Sequence, residues 1–277
     1  MLGGAVVALS GAIGYLYYEN QRSQDVVAEA QPQNADTQSL DGTASGPLPQ
    51  PSVALFDLFG ITGSAGPIMV TPNQRAEPWF AQTFDDGNDK AHVVFLTVQD
   101  VNEHGVVIDQ SHAGAPTIGA VTYKQVDGKW LPVSRQRQIT RIGAWGKAPN
   151  IKRADVLRLG NVTALLIEAG SMGQGYTSTG KVVLALEKEG WRVLGWVETA
   201  ANNRGACVDG TDAAANPSAP LCWAYTGQIS VGQQRPGMQY PDLIVEGTGT
   251  VEDDSHRLVP AGAVTIQFNG KSYGTID

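Results

Sequence analysis

Seven basic side chains crowd one stretch of this chain: Arg135, Arg137, Arg141, Lys147, Lys152, Arg153 and Arg158, opposed by Asp155 alone. Trp145 stands among them in Gly143-Ala144-Trp145-Gly146. Guanidinium groups grip carboxylates and phosphates with a fork of donors, and an indole adds a flat apolar surface. In a protein of formal net charge -8 this segment is the candidate anion-binding face, with Arg135, Arg137, Arg141 and Trp145 as its ligand-binding residues. The three arginines share strand parity, so the competing reading is an ordinary solvated strand face.

A glycine-rich run, Gly173-Gln174-Gly175-Tyr176-Thr177-Ser178, offers a second ligand surface. Its backbone permits close approach, and it would present Gln174 and Tyr176. Just before it, Ala169-Gly170-Ser171-Met172-Gly173 departs by one residue from the G-x-S-x-G turn that exposes a serine nucleophile. That chemistry needs a strand running directly into a helix, and a base. No helix start follows Ser171, and only His256 lies downstream. A serine hydrolase using Ser171 and His256 is the enzymatic alternative to a non-catalytic binder. No other catalytic residue is assigned.

Neither a metal nor a cofactor is expected. His92, His104, His112 and His256 form no ligand motif, although His104 and His112 flank Asp109. Asp85-Asp86-Gly87-Asn88-Asp89 lacks the spacing and distal glutamate of a calcium loop and reads better as a turn between strands.

The two cysteines, Cys207 and Cys222, flank a Gly/Pro/Ala/Asn-rich segment with no periodicity. A disulfide closing that loop in an oxidising compartment is the expectation, against two unrelated buried thiols.

The elements that must position these residues read mostly as strands. Ser52 to Phe59 and Ala91 to Val98 are short apolar or β-branched runs, and Asn161 to Ala169 and Tyr240 to Gly247 add two more. Three hairpins are expected, around Asp127-Gly128, Glu189-Gly190 and Asn269-Gly270, each followed by an aromatic. No long helical period appears after residue 51. The fold class is all-β, or β-dominated α+β: an antiparallel meander, sandwich or irregular barrel over 51–277.

Before that domain the chain changes character. Residues 1–18 are uncharged and mostly apolar, at the short edge of a membrane span. Residues 19–50 are polar and low in aromatics, a composition that cannot order itself and suits a flexible tether. The expected N-terminal apolar helix is an uncleaved anchor or a cleaved signal, with a buried core helix as the third reading. The tether accounts for half of the net charge, with Glu19, Asp25, Glu29, Asp36 and Asp41 against Arg22. The folded part is mildly acidic, so nucleic acid is not an expected partner.

From Ala91 to Tyr176, HVVFLTVQD, IGAVTYK…GKW, GAWG and GQGYTS occur in order. This third of the chain resembles exported β-rich proteins of Gram-negative bacteria that carry no assigned activity. The resemblance implies a bacterial envelope location and supplies no mechanism. The expectation is therefore a periplasmic β-domain tethered to the inner membrane through residues 1–18, or released if that segment is cleaved. It would bind an envelope protein or an anionic envelope polymer. A structural subunit of an envelope assembly is the third alternative.

Overall fold

In the computed structural model, residues 46–62, 66–87, 89–208 and 220–274 are described. The expected anchor (1–18) and nearly all of the tether (19–50) lie outside them, as does Asn88 of the acidic run. Among the described residues no helix is long and apolar enough to cross a membrane.

Among the described residues one helix, α1 (Pro51–Phe59), precedes thirteen strands. The first five are β1 (Ile68–Thr71), β2 (Gln74–Asp85), β3 (Lys90–Asp100), β4 (Thr117–Val126) and β5 (Lys129–Arg141). They form an antiparallel meander in sequence order, sheet 1. The second sheet holds β6 (Asp155–Leu159), β7 (Val162–Gly173), β8 (Tyr176–Glu187), β9 (Gly190–Asn202), β10 (Ala224–Val231) and β11 (Leu243–Glu252). It is also antiparallel, and β12 (Leu258–Pro260) and β13 (Ala263–Ile266) both pair with β11. Sheet 2 curls into a half-barrel.

Turn chemistry explains the hairpins. Asp127 (φ 51°) and Gly128 (φ 75°) close β4 on β5, both left-handed as a type I′ turn requires. Lys188 and Glu189 join β8 to β9, with Glu187 opposite Gly190. The acidic run 85–89 is the β2–β3 turn: Asp85 lies opposite Lys90, and its carboxylate accepts the Gly87 N–H at 2.7 Å. The third expected hairpin shrinks to a tight turn at Asn269 to Ser272 with one antiparallel bridge, Phe268 to Tyr273. Tyr273 then bridges in parallel to Gly195 of β9, which seats this turn on sheet 2.

One expectation is corrected. The run from Ser52 to Phe59, strand-like in its apolar content, is helical. Pro51 fits the first turn, where its missing N–H is not needed. Ala54, Leu55 and Leu58 share one buried face, and Gly60 (φ 74°) ends the helix by donating its N–H to the Phe56 carbonyl.

Three apolar clusters follow from these layers. Helix α1 covers the outer face of sheet 1 over Val94, Leu96, Val121 and Tyr123. Between the sheets lie Phe80, Phe84, Phe95, Leu165, Ile167, Leu184 and Trp191. The curl of sheet 2 encloses Leu166, Val183, Leu194, Tyr240, Phe268 and Tyr273. β3 is buried on both faces, which accounts for the continuous apolar run from Val93 to Leu96.

Candidate functional site: a cleft beside Trp145

The sandwich opens at one end of sheet 1. On β3, Val93 and Phe95 belong to the core between the sheets, and the same face continues through Thr97 and Gln99. Opposite them on β2 stand Glu77 and Arg75, in the pairs Glu77–Thr97 and Arg75–Gln99. Polar side chains thus take over an interior face where sheet 2 no longer covers it.

Two loops wall the opening. Residues 142–154, between β5 and β6, cross over it and pack Ala148 and Ile151 against the core. The Trp79 indole N–H donates to the Pro149 carbonyl at 2.8 Å, and the Gln99 amide donates to the Gly146 carbonyl. The loop between β3 and β4 contributes Val106, Val107 and Gln110. Together they enclose a cleft of about 640 Å³. That lies within the few hundred to roughly 1,000 Å³ usual for ligand sites.

Trp145 forms part of the lip. Ala144 and Lys147 exchange backbone hydrogen bonds of 3.0 and 2.9 Å, so Trp145 and Gly146 are the two central residues of a tight turn. Both are left-handed, at φ 56° and 68°. Gly146 adopts that conformation freely, whereas a bulky residue there is strained. Trp145 is 46% exposed, and its ring centroid lies 6.1 Å from that of His112. Inside the cleft, Thr97 is 4% exposed, yet its hydroxyl has no hydrogen-bond partner. The Nε of Arg75 is also buried and unpartnered, while its Nη2 donates to Gln99 at 2.9 Å. Arg75 and Lys147 line the cleft against Glu77, giving an excess of positive charge. Two aromatic walls, amides and unpaired donors can hold a polar, negatively charged ligand.

The arginines grouped with Trp145 in the sequence have other neighbours. Arg135 reaches Asp57 of α1 at 3.5 Å. Asp57 also accepts the Tyr123 hydroxyl at 2.8 Å, and burial together with this bond pushes Tyr123 well above the usual tyrosine range. Arg137 donates to the Leu58 carbonyl at 3.1 Å and lies over the Phe59 ring at 5.5 Å. Arg141 donates to the Ala115 carbonyl at 2.8 Å and faces Asp109 at 3.7 Å. Two of them fasten α1, and the third braces the loop that walls the cleft.

Gln174 (φ 52°) and Gly175 form the two-residue turn between β7 and β8, so most of the glycine-rich run is strand. Tyr176 is 43% exposed and lies 6.3 Å from Trp223. Ser171 sits within β7 opposite Ser178, and no helix follows it. His256 lies beyond β11, hydrogen-bonded to Glu252 at 2.6 Å. Three strands separate β7 from β11, roughly 19 Å along the sheet at about 4.8 Å per strand. The structure does not bring Ser171 and His256 together.

Cys207 and Cys222 form the disulfide, with Cα atoms 4.9 Å apart. No protein-family model matches the chain, and no curated protein is similar to it in sequence.

Proposed function

We propose that the β-domain is a non-enzymatic binding module whose cleft beside Trp145 takes an anionic polymer of the cell envelope, such as a glycan carrying carboxylates or phosphates. The observation that carries this reading is the pair of unpartnered buried groups, Arg75 Nε and Thr97 Oγ1, inside a cleft lined by two tryptophans. Buried polar groups are normally satisfied, and unpaired ones in the wall of a cleft favour a ligand that brings acceptors beside them. The exposed Trp145, held on a strained left-handed backbone, supports the same site. The Cys207–Cys222 disulfide supports an oxidising compartment, as expected of a domain tethered through residues 1–18 in the periplasm. An envelope protein is the alternative occupant.

The test is titration with soluble peptidoglycan fragments and with lipopolysaccharide at low and high salt. Binding that weakens with salt, and that falls in Lys147→Glu and Trp145→Ala, is the expected result. Equal affinity in wild type and both variants would exclude this cleft.

A further inference from the structure

The face of sheet 2 that packs against sheet 1 extends past it. On β8, Val182 and Leu184 point into the core between the sheets, so Tyr176 and Ser178 face the same way further along the strand. Ser178 lies opposite Ala201 of β9, which lies opposite Tyr225 of β10. Trp223 shares the parity of Tyr225, and their rings are nearly parallel at 6.5 Å. The Tyr176 ring lies 6.3 Å from that of Trp223, tilted by 52°.

Glu198 lies within this patch. Both its oxygens are engaged: one accepts the Ser178 hydroxyl and the other the Tyr225 hydroxyl. Burial and this carboxylate push the Tyr225 hydroxyl above the usual tyrosine range, so it stays a donor. Among the described residues no Lys, Arg or His comes within ion-pair distance of Glu198. Half-buried carboxylates usually have a counter-charge. The indole N–H of Trp223 is buried and has no acceptor. An unpaired carboxylate beside three aromatic rings attracts a cation through charge and ring quadrupole together.

The geometry points to a second binding site, in which Glu198, Tyr225, Trp223 and Tyr176 take an alkylammonium group. Two sources carry that group, a lysine side chain of a partner protein or a free polyamine. The site is independent of the anion cleft.

The experiment titrates the disulfide-intact full chain with spermidine and with acetyl-Gly-Lys-Gly-amide, following the Trp223 indole proton by NMR. Its resonance is assigned from Trp223→Phe. Saturable displacement of that resonance by either probe is expected, and the more effective probe identifies the source. Glu198→Gln keeps the hydroxyl partners and removes the charge, so affinity should fall at least about tenfold. Tyr176→Ala, an exposed change that spares the fold, should weaken binding as well. Trp145→Ala should leave it unchanged, which separates this site from the cleft. No saturable shift with either probe, or equal affinity in Glu198→Gln and Tyr176→Ala, would overturn the assignment.

Discussion

Gln82 pairs with the backbone of Ala154 as a neighbouring strand would: its Nε2 donates to the Ala154 carbonyl at 3.0 Å, and its Oε1 accepts the Ala154 N–H at 2.8 Å. Gln82 is on β2 of sheet 1, and Ala154 immediately precedes β6 of sheet 2. Gln136 of β5 repeats the arrangement with Trp191 of β9, at 2.9 and 2.6 Å. Stacked sheets usually meet only through apolar side chains. Here two carboxamides add directional, backbone-type bonds between the layers, which fix how one sheet sits on the other.

Replacing Gln82 with Leu keeps the volume but leaves one N–H and one carbonyl buried and unpaired. Each such group costs about 1–3 kcal/mol. We expect a loss of about 3 kcal/mol, roughly 6–12 °C in Tm for a domain of this size. Calorimetry checks it, and no change in Tm would show that water replaces the amide. Gln136→Leu should act independently, because the two clamps share no partner.

Arg137 holds the C-terminal end of α1 through the Leu58 carbonyl and the Phe59 ring. A cation there also meets the negative end of the helix dipole. Arg137→Ala should destabilise the domain by about 1 kcal/mol. Hydrogen exchange at residues 54–60 should rise more than exchange in β7–β9. Uniform protection in wild type and variant would assign the arginine no role in docking the helix.

Trp145 occupies a left-handed turn position that favours Asn before Gly. Trp145→Asn should therefore raise stability by roughly 0.5–1 kcal/mol while weakening ligand binding at the cleft. Urea denaturation and the polymer titration read the two effects separately. A destabilised variant would mean that the Trp145 ring packs structurally.

His92 is 5% exposed, with Nδ1 at 2.9 Å from the Thr83 hydroxyl and the Tyr123 and Trp130 rings nearby. Burial holds its imidazole below the usual histidine range, against the opposing pull of the Pro49 carbonyl. The neutral form is native at pH 7, while an unfolded histidine takes up its proton near pH 6.5. Its contribution is full above that pH and declines as pH falls from about 6.5 toward the lower native value. Tm should drop across this window, and His92→Gln should flatten the profile. An unchanged profile in the variant would place the sensitivity elsewhere.

Local signals carried much of the fold. Asp127-Gly128 announces its hairpin because few other residue pairs accept two consecutive left-handed conformations. The β3 run is legible because burial on both faces leaves a continuous apolar stretch from Val93 to Leu96. Helix α1 reads like a strand because nine residues hold too few turns for a period to stand out, although Pro51 and Gly60 mark its ends. The cleft was only half legible. Trp145 is conspicuous among cations, but Arg75, Glu77, Thr97 and Gln99 become one surface only through the register of β2 on β3. The polar break at Thr97 and Gln99, on the parity of Phe95, was the available clue. Likewise, nothing local reveals that Arg135 and Arg137 face a helix almost eighty residues earlier.

The base of the excursion between β9 and β10 is closed three times over. Cys207 is bonded to Cys222, Val208 bridges Leu221, and Asn203, fully buried, donates to the Leu221 carbonyl and accepts the Trp223 N–H, both at 2.8 Å. These closures pin the start of β10 at the end of β9, where the two strands pair over only three residues, Asn202 with Ala224 to Ala200 with Thr226. Reducing the disulfide should therefore loosen this short seam before the rest of sheet 2, and amide exchange at 200–202 and 224–226 would report the redox state of the surroundings ahead of global unfolding.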